Sequence, residues 1–195
     1  MMKELRSMLF YQNIFSRLPT LETQRLILRP LQMRDAADLY SYAQDREVSR
    51  HVLWDAHRSL GQSREFLRAA IRQSRRGQPS SFAITLRDGG RMIGTIGFMW
   101  INPDHRSGEV GYSLSRDYWN RGIMTEALRA VIAFGFDTLE LHRIEAQHEV
   151  DNPASGRVMA HVGMQYEGTL RGRLMNKGRY VDVRLYAILR DDPRP

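Results

Sequence analysis

The stretch Tyr118-Trp119-Asn120-Arg121-Gly122-Ile123-Met124-Thr125-Glu126-Ala127-Leu128 joins the end of a β-pattern to the start of a helical one. Upstream, Ser107 to Leu114 alternates, with Glu109, Gly111 and Ser113 on one face and Val110, Tyr112 and Leu114 on the other. Downstream, the pattern predicts a helix through Thr125 to Asp137. A helix start of this kind presents free backbone N–H groups at the positive end of the helix dipole, which together attract an anion. Gly122 lets a phosphate approach the backbone closely, and Arg121 adds a mobile positive charge. A plain strand-to-helix turn holding one glycine accounts for the same spacing. The stretch is not a Walker loop, because no Gly-Lys-Ser/Thr ends it, and it lacks the three glycines of a dinucleotide fingerprint.

Working outward, Arg143 to Val150 reads as a strand, so strand, helix and strand form a parallel crossover unit. A second helix follows, capped by Asn152, with Pro153 at its first position and Gly163 at its exit. The tail predicts strands near Met164 to Thr169 and Tyr180 to Leu189. On the other side, Phe82, Ile84 and Leu86 alternate, and Asp88-Gly89-Gly90 turns the chain into Arg91 to Ile101 as a β-hairpin. Ser63 to Arg75 is an amphipathic helix carrying Phe66, Leu67, Ala70 and Ile71. Arg46 to Leu60, with Trp54, reads as a loop or irregular helix, and Asp35 as the cap of a helix through Ala43. Gln24 to Leu31 is a first strand closed by Pro30.

The 195 residues suit one domain, and a hydrophobic content of 42% closes a sizeable core. Charged or polar residues interrupt every apolar run, which argues against a membrane span. The start carries Lys3 and Arg6 but no signal-peptide pattern. Zero cysteines exclude a disulfide framework, a thiolate zinc site and a cysteine nucleophile, and fit a reducing cytoplasm. The six histidines show no metal-ligand spacing, and His148 shares a face with Ile144, Ala146 and Val150 as a core or cleft residue. The net charge of +7 favours polyanions. The arginines are scattered along the chain, however, so nucleic acid is not expected as a partner except through the ribosome.

Several ordered motifs carry a resemblance. They are Glu109-Val110-Gly111-Tyr112-Ser113-Leu114, the stretch quoted first, His142-Arg143-Ile144-Glu145-Ala146, Asn152, Ser155, and Gly163-Met164 followed by Glu167-Gly168. Together they resemble the GNAT superfamily of acetyl-CoA N-acetyltransferases. More narrowly, they are similar to the branch containing the RimJ and RimL ribosomal-protein N-terminal acetyltransferases. Leu21-Glu22-Thr23-Gln24-Arg25-Leu26 and Gly178, Asp182 and Tyr186 extend the match to nearly everything after the first 20 residues. The family's phosphate loop usually reads Gln/Arg-x-x-Gly-x-Gly/Ala, whereas here Trp119 holds the first position and Met124 the last.

The resemblance implies a GNAT-like α/β fold, a mixed, mostly antiparallel sheet of about seven strands with a splayed parallel pair and flanking helices. Residues 1–20 would be an N-terminal extension and 21–192 a single acetyltransferase domain. Acetyl-CoA would lie in the splay. Tyr112, Ser113 and Leu114 would bind the pantetheine arm, and Trp119, Asn120, Arg121, Gly122, Ile123, Met124 and Thr125 the pyrophosphate. Asn152 and Ser155 complete the expected cofactor set.

An acceptor amine is protonated at neutral pH, so a base must take a proton before it attacks the thioester. Glu109 matches the position where many GNAT enzymes place a glutamate, and a half-exposed surface glutamate is the alternative reading. Backbone N–H groups of the same strand would serve the oxyanion. The leaving thiolate needs a proton, for which many GNAT enzymes use a tyrosine seven residues after the asparagine; that position here is Met159, and Ser155 is the RimL-like substitute. The expected acceptor is a protein N-terminus or a small-molecule amine, with a catalytically silent acyl-CoA-binding module as a third possibility. A homodimer is common among look-alikes.

Overall fold

Alternation along the strands gives the sheet two apolar surfaces, and helices cover both. The computed structural model describes residues 2–194, with side chains from residue 8 onward; the side chains of Lys3 and Arg6 lie outside the described residues. In chain order the elements are α1 (Met2–Ser16), β1 (Leu21–Glu22), β2 (Leu26–Pro30), α2 (Ala36–Ala43), α3 (Arg46–Ser49), α4 (Leu60–Arg75), β3 (Ser81–Leu86), β4 (Met92–Asn102), β5 (Ser107–Leu114), α5 (Ile123–Asp137), β6 (Arg143–Glu149), α6 (Pro153–His161), β7 (Gln165–Asn176) and β8 (Arg179–Leu189). They form one eight-stranded sheet in the order β1-β2-β3-β4-β5-β6-β8-β7. Among the described strands β5–β6 is the one parallel pair, joined through α5 as the crossover reading requires. The strand beyond the expected seven or so is the two-residue β1.

One face of the sheet, with Leu26, Leu28, Phe82, Ile84, Ile96, Phe98 and Val110, packs against α1, α5 and α6. The opposite face, with Ala83 and Met92, packs against α2, α3 and α4. Phe15 of α1 is fully buried and meets Phe98 edge-on at 6.5 Å, while Phe134 of α5 meets Phe82 at 5.6 Å. Each such ring contributes about 2–3 kcal/mol on leaving water. α1 therefore closes the same core as the sheet.

Two local expectations shift. Asp35 does not cap α2 through its side chain. It lies at the end of a short 3-10 turn, where Arg29 grips its carboxylate at 2.6 Å and the Gln32 backbone N–H donates to it at 2.8 Å. Arg29 is the nearer and stronger donor, so the carboxylate ties β2 to the turn. The tail strands are longer than predicted and form one hairpin, because pairing resumes at Leu174 to Asn176 beyond an irregularity at residues 171–173. β7 is the sheet's outer strand, where solvent-facing polar residues are tolerated on both faces.

Candidate active site

β5 and β6 pair only at Ser107 with Arg143, Gly108 with Ile144 and Glu109 with Glu145. Beyond Glu109, β5 continues to Leu114 against β4, and β6 continues to Glu149 against β8, each leaving the other. The β5 edge from Val110 to Leu114 thus turns backbone groups into a split instead of onto a strand. A β-bulge in β4 between Phe98 and Trp100 lies directly across from Glu109 and Val110, and a bulge bends its strand and increases local twist.

At the end of β5, Trp119 Nε1 donates to the Leu114 carbonyl at 2.9 Å, folding the loop back on the strand. Asn120 and Gly122 both adopt left-handed backbone, with φ of 57° and 70°. Gly122 is the N-cap of α5 and supplies no side-chain acceptor, whereas Ser59 caps α4 and Asn152 caps α6. The first N–H groups of α5 are therefore left for an external acceptor. Ile123 and Met124 turn their side chains into the core, so they offer the split their backbone alone. Arg25 fixes the loop from outside: its guanidinium donates to the Arg121 carbonyl at 2.9 Å and pairs with Glu126 at 2.6 Å. Burial alone would raise the Glu126 pKa, but hydrogen bonds from Thr23 and Arg25 outweigh it and hold the carboxylate below its ordinary range. Thr125, Gly122, Arg25 and Arg129 line an open hollow of about 540 Å³ beside the helix start. This arrangement fits a pyrophosphate.

Glu109 stands where the split begins, on the face covered by α2 to α4. Its two carboxylate oxygens accept from Gln147 Nε2 and Trp100 Nε1, each at 2.9 Å. The bulge makes the second contact possible: Thr95 and Gly97 sit opposite Ser113 and Gly111 on this face, and the extra residue brings Trp100, not Met99, opposite Glu109. Neighbouring Glu145 is neutralised by Arg143 at 2.7 Å. On the far side, Ser155 lies in the first turn of α6, with its hydroxyl accepting from Asn152 Nδ2 at 3.1 Å and its carbonyl accepting from Tyr112 at 3.3 Å. Burial raises the Tyr112 pKa, so its hydroxyl stays a donor. Glu109 and Ser155 thus flank the split from opposite faces of the sheet.

Other expected site residues divide by what they can offer. The Ser113 side chain is buried and bonded to Thr95 Oγ1 at 3.0 Å, so its backbone is what faces the split. The Asn152 side chain is occupied by capping α6. His148 is buried, stacks on Tyr186 at 5.6 Å and has its Nε2 without a partner beside Gly156; a Cβ at Gly156 would come within 2.7 Å of that nitrogen.

Sequence reasoning missed Trp100, Gln147 and Arg25, which need the strand register and the fold to be seen. It also missed a tie between distant segments. His51 Nδ1 meets Glu149 Oε2 at 2.9 Å, Asn176 donates to the same carboxylate, and Lys177 Nζ donates to the Ser49 and Val52 carbonyls at 2.9 and 2.7 Å. These bonds join α3 and its following loop to the β7–β8 turn. Burial would raise the Glu149 pKa, but the bonds from His51 and Asn176 lower it.

Residues 25–165 match the family model described as "Acetyltransferase (GNAT) domain". The chain is 34% identical over 171 residues to the uncharacterized N-acetyltransferase p20 of Bacillus licheniformis, covering 88% of this chain and 96% of that one. It is 33% identical over 129 residues to the ribosomal-protein-serine acetyltransferase of Escherichia coli, covering 66% and 71%. The solved structure of Mycobacterium smegmatis RimJ in complex with CoA-disulfide superposes with a TM-score of 0.77 at 26% identity, covering 89% of this chain and 88% of that one.

Proposed function

The chain belongs to the GNAT acetyltransferase family and is an acetyl-CoA-dependent N-acetyltransferase, and from that premise we propose that its acceptor is the α-amine at a protein N-terminus. Acetyl-CoA supplies an activated acetyl thioester. The observation that carries the site assignment is the parting of β5 from β6 at Glu109, which sets a carboxylate at the mouth of a split lined by free backbone groups. The uncapped start of α5 holds the pyrophosphate, and the β5 edge holds the pantetheine arm in the manner of an added strand.

Glu109 takes the proton from the acceptor nitrogen, directly or through water. Its two protein donors leave each oxygen with a further lone pair for that purpose. A backbone N–H of β5 meets the oxygen that gains charge during attack. Ser155 returns a proton to the departing sulfur from the opposite side of the split. A polypeptide acceptor is supported by the exposed Met99 and Trp100 beside Glu109, an apolar shelf on which the residues behind a leading amine can lie. The relative named for ribosomal-protein serine acetylation points the same way.

The test is thiol release from acetyl-CoA with a panel of N-terminal peptides, blocked-amine controls, polyamines, aminoglycosides and amino acids. Turnover of free peptides and none of the blocked ones is the expected result. Turnover confined to polyamines or aminoglycosides would replace the acceptor, and no turnover with any amine would leave a binding module.

A further inference from the structure

On the face of the sheet covered by α2 to α4, α4 and the turn after β2 enclose a groove of about 640 Å³. Its walls are Arg68, Arg72, Arg75 and Arg76, and its floor is Leu31, Met33 and Ile71. In the sequence these arginines look like part of a general scatter. Helical spacing gathers them, because residues four apart fall on one side of a helix. Arg68, Arg72 and Arg76 follow one another at steps of about 6 Å along the axis. Among the described residues none of the four pairs with a carboxylate. Arg25, Arg29, Arg87 and Arg143 show the alternative, each held by a carboxylate. Four exposed guanidinium groups left unmatched around an apolar floor make a site for a polyanion.

The groove is separate from the acetyl-CoA site. Leu31 follows Pro30, which pairs with Phe82 at the start of β3, and Ser81 pairs with Gly97. The α5 loop follows Leu114, which pairs with Gly94 further along β4 toward its start, and Leu26 pairs with Leu86 at that same end. The two sites therefore lie at opposite ends of β2, with Arg25 before it and Leu31 after it.

We infer that the α4 groove binds single-stranded nucleic acid, its arginines taking successive phosphates and its apolar floor taking a base or ribose face. Arginine suits this role over lysine, since its planar group bonds phosphate in two places and stacks on bases. A bare carboxylate chain would satisfy the arginines but leave Leu31, Met33 and Ile71 without a partner. The net charge of +7 adds long-range attraction.

The experiment is fluorescence anisotropy of the full chain with a labelled single-stranded oligouridine, over a salt series, with a polyglutamate peptide as the comparison probe. Four phosphate contacts predict a salt slope of about −2.8, so affinity drops about 50-fold between 50 and 200 mM salt. Arg72→Glu combined with Arg76→Glu is expected to weaken binding about tenfold or more and to flatten the slope. The same variant is expected to keep the parent's thermal shift with acetyl-CoA, which shows that it folds and that its cofactor site is intact; Arg72→Gln with Arg76→Gln serves if charge reversal impairs folding. Saturating acetyl-CoA should leave oligouridine affinity within twofold. The inference is overturned by no binding at 50 mM salt, by binding that ignores the arginine changes, by displacement of the oligonucleotide by acetyl-CoA, or by tighter binding of polyglutamate, which would make the partner an acidic protein.

Discussion

At the scale of single residues, the two oxygens of Glu109 decide how its substitution is read. Glu109→Gln keeps the shape but turns one acceptor into a donor, so Trp100 Nε1 or Gln147 Nε2 loses its partner. That loss costs about 1 kcal/mol of stability, while removal of a positioned base lowers turnover ~10²- to 10⁴-fold. Turnover should therefore collapse while the thermal shift with acetyl-CoA persists, and the deficit should shrink at high pH, where more of the amine is already neutral. A pH series of initial rates checks this; a variant within twofold of the parent across the range would pass the role to water or another carboxylate. Gly122 needs similar care. With φ at 70°, a valine there is strained whatever it does to the ligand. Asparagine tolerates that backbone, as Asn120 does next door. Gly122→Asn should keep the melting temperature of the free protein close to the parent's yet weaken acetyl-CoA binding about tenfold. By calorimetry, unchanged affinity would remove the loop from the site.

At the scale of elements, what could be read in advance was what lies close in sequence. The alternation of Ser107 to Leu114 and the Asn152-Pro153 start of α6 are local patterns, and both appear as expected. The bulge at Phe98 and Trp100 leaves no local mark, because a bulge is a property of two strands in register. Trp100 could not be joined to Glu109 without it, and Gln147 needs the parallel register of β5 with β6. Glu126 shows the same limit: near the start of α5 it reads as a favourable charge for the helix dipole, yet its partners Thr23 and Arg25 lie about a hundred residues away in sequence. The α4 groove divides the same way: its arginines lie within nine residues at helical spacing, whereas Leu31 and Met33, which complete it, come from the turn after β2. Arg25→Ala should loosen the α5 loop without touching the β5–β6 split. It is expected to raise the Kd for acetyl-CoA several-fold while leaving kcat at saturation near the parent's, a separation that steady-state kinetics resolves. An equal fall in kcat would mean that the loop also positions the thioester.

At the scale of the whole molecule, two histidines couple folding to pH, His148 buried and His57 half-buried. Burial lowers the pKa of His57, whose Nδ1 lies 2.8 Å from Ser63 Oγ. Burial also lowers that of His148, where the neighbouring charges of Arg184 and His51 act in the same direction and the bond to the Glu149 carbonyl acts against it. An unfolded histidine titrates near 6.5. With both folded values lower, the unfolded chain binds more protons in the interval below about 6.5, and stability rises with pH there. The contribution of each group is complete above that point and is lost as pH falls through the folded pKa. Each histidine changes stability by at most about 1.4 kcal/mol per pH unit. Urea unfolding of the parent should therefore show a midpoint that declines from pH 7 to pH 5. Glu126 and Glu149, held below the ordinary carboxylate range, add their own loss only at lower pH. His148→Asn keeps a donor toward the Glu149 carbonyl while removing the titration, and His57→Gln removes the other. The double variant should be less steep over pH 7 to 5 than the parent, with its acid limb below pH 4 retained. A parent midpoint that is flat over pH 7 to 5, or a double variant as steep as the parent, would show that these histidines reach solvent more readily than their positions imply.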